Sequence, residues 1–145
     1  MKVLITTVPF GDKNRYPLEI LENNNIEYLI NPLNKKLTED ELLSLISDFD
    51  AIVAGTESIS DKVMEKASNL KMISRVGIGL NSVDLLAAEK RNIKVSYTPD
   101  APAPAVAELT IGMMLTLLRS VHISNSQMHL GKWHRFFGRR LSEVT

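Results

Sequence analysis

The sequence predicts an α/β fold: a flavodoxin-like, parallel five-stranded sheet with helices on both faces, followed by a long C-terminal helix. Three observations predict it. Short, almost continuously apolar segments such as KVLITT (2–7), DAIVAG (50–55) and KMISRV (71–76) read as strands covered on both sides, as parallel strands are. Helix-start signals fall between them, so strands and helices alternate along the chain. Finally, the first half of the segment 105–133 is apolar round nearly its whole circumference, which requires burial on more than one side.

The first strand, 2–7, leads into PLEILENNN (17–25), where Pro17 suits a first helical turn and the asparagines suit a stop. IEYLI (26–30) is the second strand. Thr38 with Glu41 three residues later spells a capping box ahead of LLSLI, so a helix starts near Thr38. The third strand, 50–55, precedes a helix that Ser60 caps and that runs to about Ala67. Strands four and five, 71–76 and 93–97, flank a glycine turn and a short helix. TPDAPAPAV (98–106) is extended, because each proline disfavours helix in the residue before it. One long helix then runs from about Pro104 to His129, which divides the chain into a sheet domain, 1–100, and a connector with helix, 101–145.

Composition narrows the function. A chain of 145 residues with 44% apolar and 23% charged residues builds a globular core. Seventeen basic residues balance seventeen acidic ones, so no net field draws the chain to nucleic acid or to an anionic membrane, and a small molecule or a protein is the expected partner. The absence of cysteine removes disulfides, thiolate nucleophiles and sulfur metal sites. The N-terminus turns polar too early for a signal peptide, and the apolar run Leu109–Leu118 is too short to span a bilayer, so a cytoplasmic location is expected.

Gly77-Ile78-Gly79 follows a strand and precedes a helix, with Asp100 23 residues beyond Gly77. Three readings apply. A nucleotide pyrophosphate is disfavoured because Ser82 stands where the third glycine of G-x-G-x-x-G belongs, the strand is the fourth rather than the first, and Asp100 lies in the connector. The glycines serve only a tight turn in the second reading. In the third they expose consecutive N–H groups at a strand's carboxyl end, a nest suited to a carboxylate. Beside the turn, Arg75 is placed either to pair with a bound anion or to form a surface salt bridge. Thr56 opens on the same sheet edge, or its hydroxyl bonds its own turn. Glu108 favours a helix dipole, and His122 and His129 share a helix face without a third ligand, so no metal site is expected.

RVGIGLNSVDLLAAEKRNIKVSYTP, then VAELTIGMMLTLLR and GKW, resembles the D-2-hydroxyacid dehydrogenase family in its phosphoglycerate-dehydrogenase-like branch, over residues 50 to 133 above all. The resemblance implies a substrate domain of flavodoxin type and a separate Rossmann domain inserted after the long helix. It implies that Val76, Gly77, Ile78 and Gly79 present backbone amides to the carboxylate of a small 2-hydroxy or 2-keto acid, such as a 3-phosphoglycerate-like one. Arg75, Thr56 and Asn81 are further candidates to contact that acid, and the resemblance implies that Thr98 and Val106 approach the nicotinamide of NAD. The family's cofactor turn and its catalytic Arg, Glu and His fall beyond the equivalent of Thr145, so no catalytic residue is assigned here, His134 included, and the chain is expected to be an inactive fragment. Asn81 stands where many members carry Asp, and Ala103-Pro104-Ala105 replaces small polar residues. Homodimerisation through the long helix is implied as well. The alternative is a stand-alone flavodoxin-like module that binds a small anion without catalysis. A phosphoacceptor receiver, which needs acids after the first strand and an Asp at the end of the third, is disfavoured, since ITTVPFG and IVAGTES put small or apolar residues at those strand ends.

Overall fold

The computed structural model describes residues 1–144; the chain divides into two compact units, Met1–Asp100 and Ala101–Thr145. In the first unit, strands β1 (Lys2–Ile5), β2 (Glu27–Ile30), β3 (Ala51–Ala54), β4 (Met72–Arg75) and β5 (Lys94–Tyr97) alternate with helices α1 (Tyr16–Asn23), α2 (Glu39–Leu45), α3 (Asp61–Lys66) and α4 (Leu85–Lys90). All strand pairs are parallel, in the order β2-β1-β3-β4-β5. The fold class read from the sequence is the one observed.

Alternate residues of each strand feed opposite faces. Leu4, Ile52 and Ile73 pack with Leu42 of α2, Val63 and Met64 of α3, and Ala87 and Ala88 of α4. Val3, Ile5 and Ala51 pack with Leu18 and Leu21 of α1 on the other face. Leu4, Leu42 and Ile73 are wholly buried, each contributing ~1.5–3 kcal/mol of apolar transfer energy. α1 does not reach the far half of its face, where Met72 and Lys94 are exposed.

The local signals act as the chemistry requires. Thr38 and Glu41 close the capping box, Glu41 N–H donating to Thr38 Oγ1 (3.3 Å) and Thr38 N–H to Glu41 Oε2 (2.9 Å). Ser60 caps α3 and Asp84 caps α4. Asn25, with φ of 53°, ends α1 in the left-handed region that asparagine tolerates better than most residues. At the amino ends of the strands, Asp50 accepts Lys2 N–H (2.8 Å) and Lys71 Nζ (2.7 Å), clamping β1, β3 and β4. The Lys71 hydrogen bond, then the Lys2 amide, hold its carboxyl below the usual aspartate value.

The second unit corrects the expectation of one helix to His129. Two helices form, α5 (Ala103–Leu118) and α6 (Val121–His129), bent by 67°. Ser120, at φ of 53°, breaks the path. The physical reason lies in RSVHISNS: its serines and asparagine compete for backbone hydrogen bonds and its β-branched residues resist helix, whereas the preceding residues are strong apolar helix formers. The chain then folds back on α5, Arg139 N–H donating to Leu118 C=O (3.1 Å). A Cβ on Gly138 would stand 2.5 Å from that carbonyl, so only glycine permits the approach. No residue of α5 is buried. Among the described residues no single helix is long and apolar enough to cross a membrane; α5 and α6 together meet that length and apolarity but are bent.

Candidate functional site

The order 2-1-3-4-5 reverses direction between β1 and β3, and in such sheets the crevice outside the carboxyl ends at the reversal is where ligands bind. A cavity of about 190 Å³ lies there, lined by Thr6, Thr7 and Val8 after β1, Gly55, Thr56 and Glu57 after β3, and Lys36, Arg75 and Val76. A second cavity, of about 360 Å³, is lined by Thr56, Arg75, Gly79, Asn81 and Ser82. Arg75 and Thr56 line both.

The glycine loop is pinned at its two ends. Gly77 N–H donates to Thr98 Oγ1 (2.8 Å), Thr98 N–H donates to Gly77 C=O (3.1 Å), and the Thr98 hydroxyl donates to Arg75 C=O (3.2 Å). At the far end, Ile59 N–H donates to Ser82 C=O (2.7 Å) and Asp84 N–H to Ile59 C=O (3.0 Å). Val76 N–H is spent on Ala54 C=O (2.9 Å). The expectation of four amides presented to an anion is therefore corrected: two are taken inside the fold, and among the described residues the N–H groups of Ile78 and Gly79 have no acceptor in the chain.

Arg75 accompanies them. Its Nη1 bonds Val76 C=O, its Nε is buried without a partner, and among the described residues it forms no salt bridge, which overturns the surface ion-pair reading. Gly77 has φ of 137° and a Cβ there would fall 2.6 Å from Arg75 Nη1, so glycine lets the guanidinium fold over the loop. Thr56 is exposed and its hydroxyl makes no hydrogen bond among the described residues, so the turn-hydroxyl reading is corrected too. Asn81 Oδ1 lies beside Gly79, 3.4 Å from where a Cβ would stand. Thr98 belongs to the loop's support, while Val106 lies in the first turns of α5, in the second unit. Asp100 lines neither cavity, and His122 and His129 lie on α6. Among the described residues no group of three His, Cys, Asp or Glu stands ready to hold a metal.

Sequence reasoning missed Glu57 and Thr6. Glu57 is 1% exposed, and its Oε1 accepts the Thr6 hydroxyl and Gly55 N–H (2.9 Å). A carboxylate at the end of β3 in a sheet that reverses beside β1 was the available signal, once the strand order is inferred from the alternation of strands and helices. Asn31, also buried, shapes the loop that brings Lys36 to the cavity: its Nδ2 donates to Lys35 C=O (2.7 Å) and its Oδ1 accepts Leu33 N–H (2.9 Å).

Comparisons with known proteins identify the family and agree with the fold. Residues 3–138 match the family model described as D-isomer specific 2-hydroxyacid dehydrogenase, catalytic domain. The chain is 37% identical over 103 residues to hydroxypyruvate reductase of Thermotoga maritima, covering 70% of this chain and 34% of that protein. It is 42% identical over 101 residues to D-3-phosphoglycerate dehydrogenase of Methanocaldococcus jannaschii, covering 68% and 19%. Among solved structures, NAD+-bound 3-phosphoglycerate dehydrogenase of Entamoeba histolytica superposes with a TM-score of 0.78 at 27% identity, over 97% of this chain and 43% of that one. D-lactate dehydrogenase of Escherichia coli gives 0.75 at 28% identity, over 92% and 42%. The match thus spans about a third of the first of these curated relatives and about a fifth of the second. With its parallel sheet, its glycine loop after β4 and the match over residues 3–138, the chain belongs to the D-isomer specific 2-hydroxyacid dehydrogenase family.

Proposed function

We propose that this chain is the substrate-binding portion of an NAD-dependent oxidoreductase that interconverts a small D-2-hydroxy acid, of the three-carbon frame of 3-phosphoglycerate, and its 2-keto acid. The observation that carries the reading is the pair of unspent amides, Ile78 and Gly79, at the carboxyl end of β4 beside an Arg75 that has no carboxylate partner among the described residues. Two N–H donors and a guanidinium in one loop suit a carboxylate, because charge-assisted hydrogen bonds of this kind are about twice as strong as neutral ones. Holding the carboxylate fixes the adjacent carbon, at which oxidation and reduction take place, relative to the rest of a site.

NAD supplies hydride chemistry in this reading. These residues do not fit its pyrophosphate: the glycine turn between β4 and α4 lacks a third glycine, and its Gly77 amide is engaged by Thr98. Thr98 and Val106 remain the candidates to approach its nicotinamide. Homodimerisation through α5 is part of the same proposal, since Leu109, Ile111, Met113 and Leu117 of that helix are more than half exposed.

Calorimetric titration of the purified chain with lactate and pyruvate tests the reading, with Gly79→Val alongside. Saturable heat that the substitution abolishes supports it. Absence of heat with both acids refutes it.

A further inference from the structure

Gly79 of the carboxylate site lines the second cavity, and a buried acid in the first has no assignment. Glu57 is 1% exposed, yet it forms no ion pair among the described residues. Both donors that reach it, Thr6 Oγ1 and Gly55 N–H, bind the same oxygen, Oε1. Oε2 takes no hydrogen bond from the described residues, and the residue lines the cavity at the β1/β3 reversal. Among the described residues Arg75 Nε is the buried side-chain atom left without a partner, so Oε2 keeps some accessible surface and stands as a free acceptor. The cavity therefore suits a guest that brings a hydrogen-bond donor.

Charge sharpens the choice. The two cavities are lined by two cations, Lys36 and Arg75, and one anion, Glu57. A monoanionic acid bound at Ile78 and Gly79 brings the count to two against two. A phosphate on its tail adds about −1.5 to −2 more, next to a fixed carboxylate. Arg75 and Thr56 line both cavities, so the two adjoin and the first is within reach of the tail of an acid anchored in the second.

We infer that Glu57 selects the tail of the substrate: it favours a three-carbon 2-hydroxy acid whose third carbon carries a hydroxyl over one whose third carbon carries a phosphate. This rests on Ile78 and Gly79 being the carboxylate site. The selection works from both sides, since Oε2 accepts the tail hydroxyl and repels a phosphate.

Three matched acids test it: D-glycerate, D-lactate and D-3-phosphoglycerate differ only at the third carbon. Their dissociation constants are measured by calorimetry on the chain and on Glu57→Gln, with the Ile78 and Gly79 amide shifts followed in parallel. The expected order on the wild type is glycerate tightest, by about tenfold or more over lactate, with 3-phosphoglycerate weaker than glycerate. In Glu57→Gln the glycerate advantage shrinks several-fold and 3-phosphoglycerate gains about tenfold. Wild-type binding of 3-phosphoglycerate as tight as glycerate overturns the inference, as does an order unchanged in a folded Glu57→Gln; in both cases shifts at Ile78 and Gly79 leave the carboxylate site standing. No shift with any acid overturns both. If the variant does not fold, the wild-type order decides alone.

Discussion

At Gly77 the backbone adopts φ of 137°, and an added Cβ would stand 2.6 Å from Arg75 Nη1, whereas at Gly79 the nearest atom is Asn81 Oδ1 at 3.4 Å and φ is not positive. The two glycines of one turn therefore fail differently. Gly77→Ala forces a strained φ and displaces the guanidinium, and is expected to cost ~1–3 kcal/mol in urea unfolding. Gly79→Ala is expected to change stability by no more than about 0.5–1 kcal/mol, while Gly79→Val blocks an anion from the two free amides. Equal unfolding midpoints for Gly77→Ala and Gly79→Ala would contradict the assignment. The glycine pair and Arg75 were legible in the sequence because spacing after a strand carries them. Which amides remain free was not, since Thr98, 21 residues away, and Ala54 on the neighbouring strand decide it. Glu57 was hidden for a similar reason: its neighbour Thr6 is brought in by β1/β3 pairing, not by sequence distance.

Elements of the sheet unit follow their local signals closely. Asp50 joins the amino ends of three strands, and the hydrogen bond from Lys71, with that from the Lys2 amide, lowers its pKa in the fold. A lowered carboxylate pKa gives stability that is present above the unfolded value, near pH 4, and is lost as pH falls through the folded value. Asp50→Asn is therefore expected to reduce stability at pH 7 and to flatten its decline below about pH 4, as measured by urea midpoints across pH. A decline as steep as in wild type would contradict this. Thr38→Ala removes one side of the capping box and is expected to cost about 0.5–2 kcal/mol. Strands and caps were readable because apolar runs and cap residues act over a few positions. The break at Ser120 was not, because a continuous apolar face from Leu109 to Leu118 masks the weak helix formers that follow it.

For the molecule as a whole, the sheet unit has a core on each face of its sheet, whereas α5 has no buried residue and Leu117 is 71% exposed. At ~25 cal/mol per Å², covering a few hundred Å² of that surface gives several kcal/mol toward association. In the proposed dimer a two-fold contact of α5 with its own copy would close the assembly, and sedimentation equilibrium at micromolar concentration is expected to give a dimer that Met114→Glu dissociates. A wild-type monomer contradicts the proposal, as does a dimer that the new charge leaves intact. With no dinucleotide turn and no catalytic acid or base assigned among these residues, the purified chain is also expected to turn over no 2-hydroxy or 2-keto acid with NAD or NADH. The central claim is narrower than either of these: a small hydroxy acid places its carboxylate on Ile78 and Gly79. An amide-resolved NMR titration of the chain with D-lactate measures it directly. The account predicts saturable shifts that are largest at Ile78 and Gly79 and smaller at Val76 and Gly77, whose amides are already spent; shifts that do not saturate, or that centre elsewhere, would contradict it.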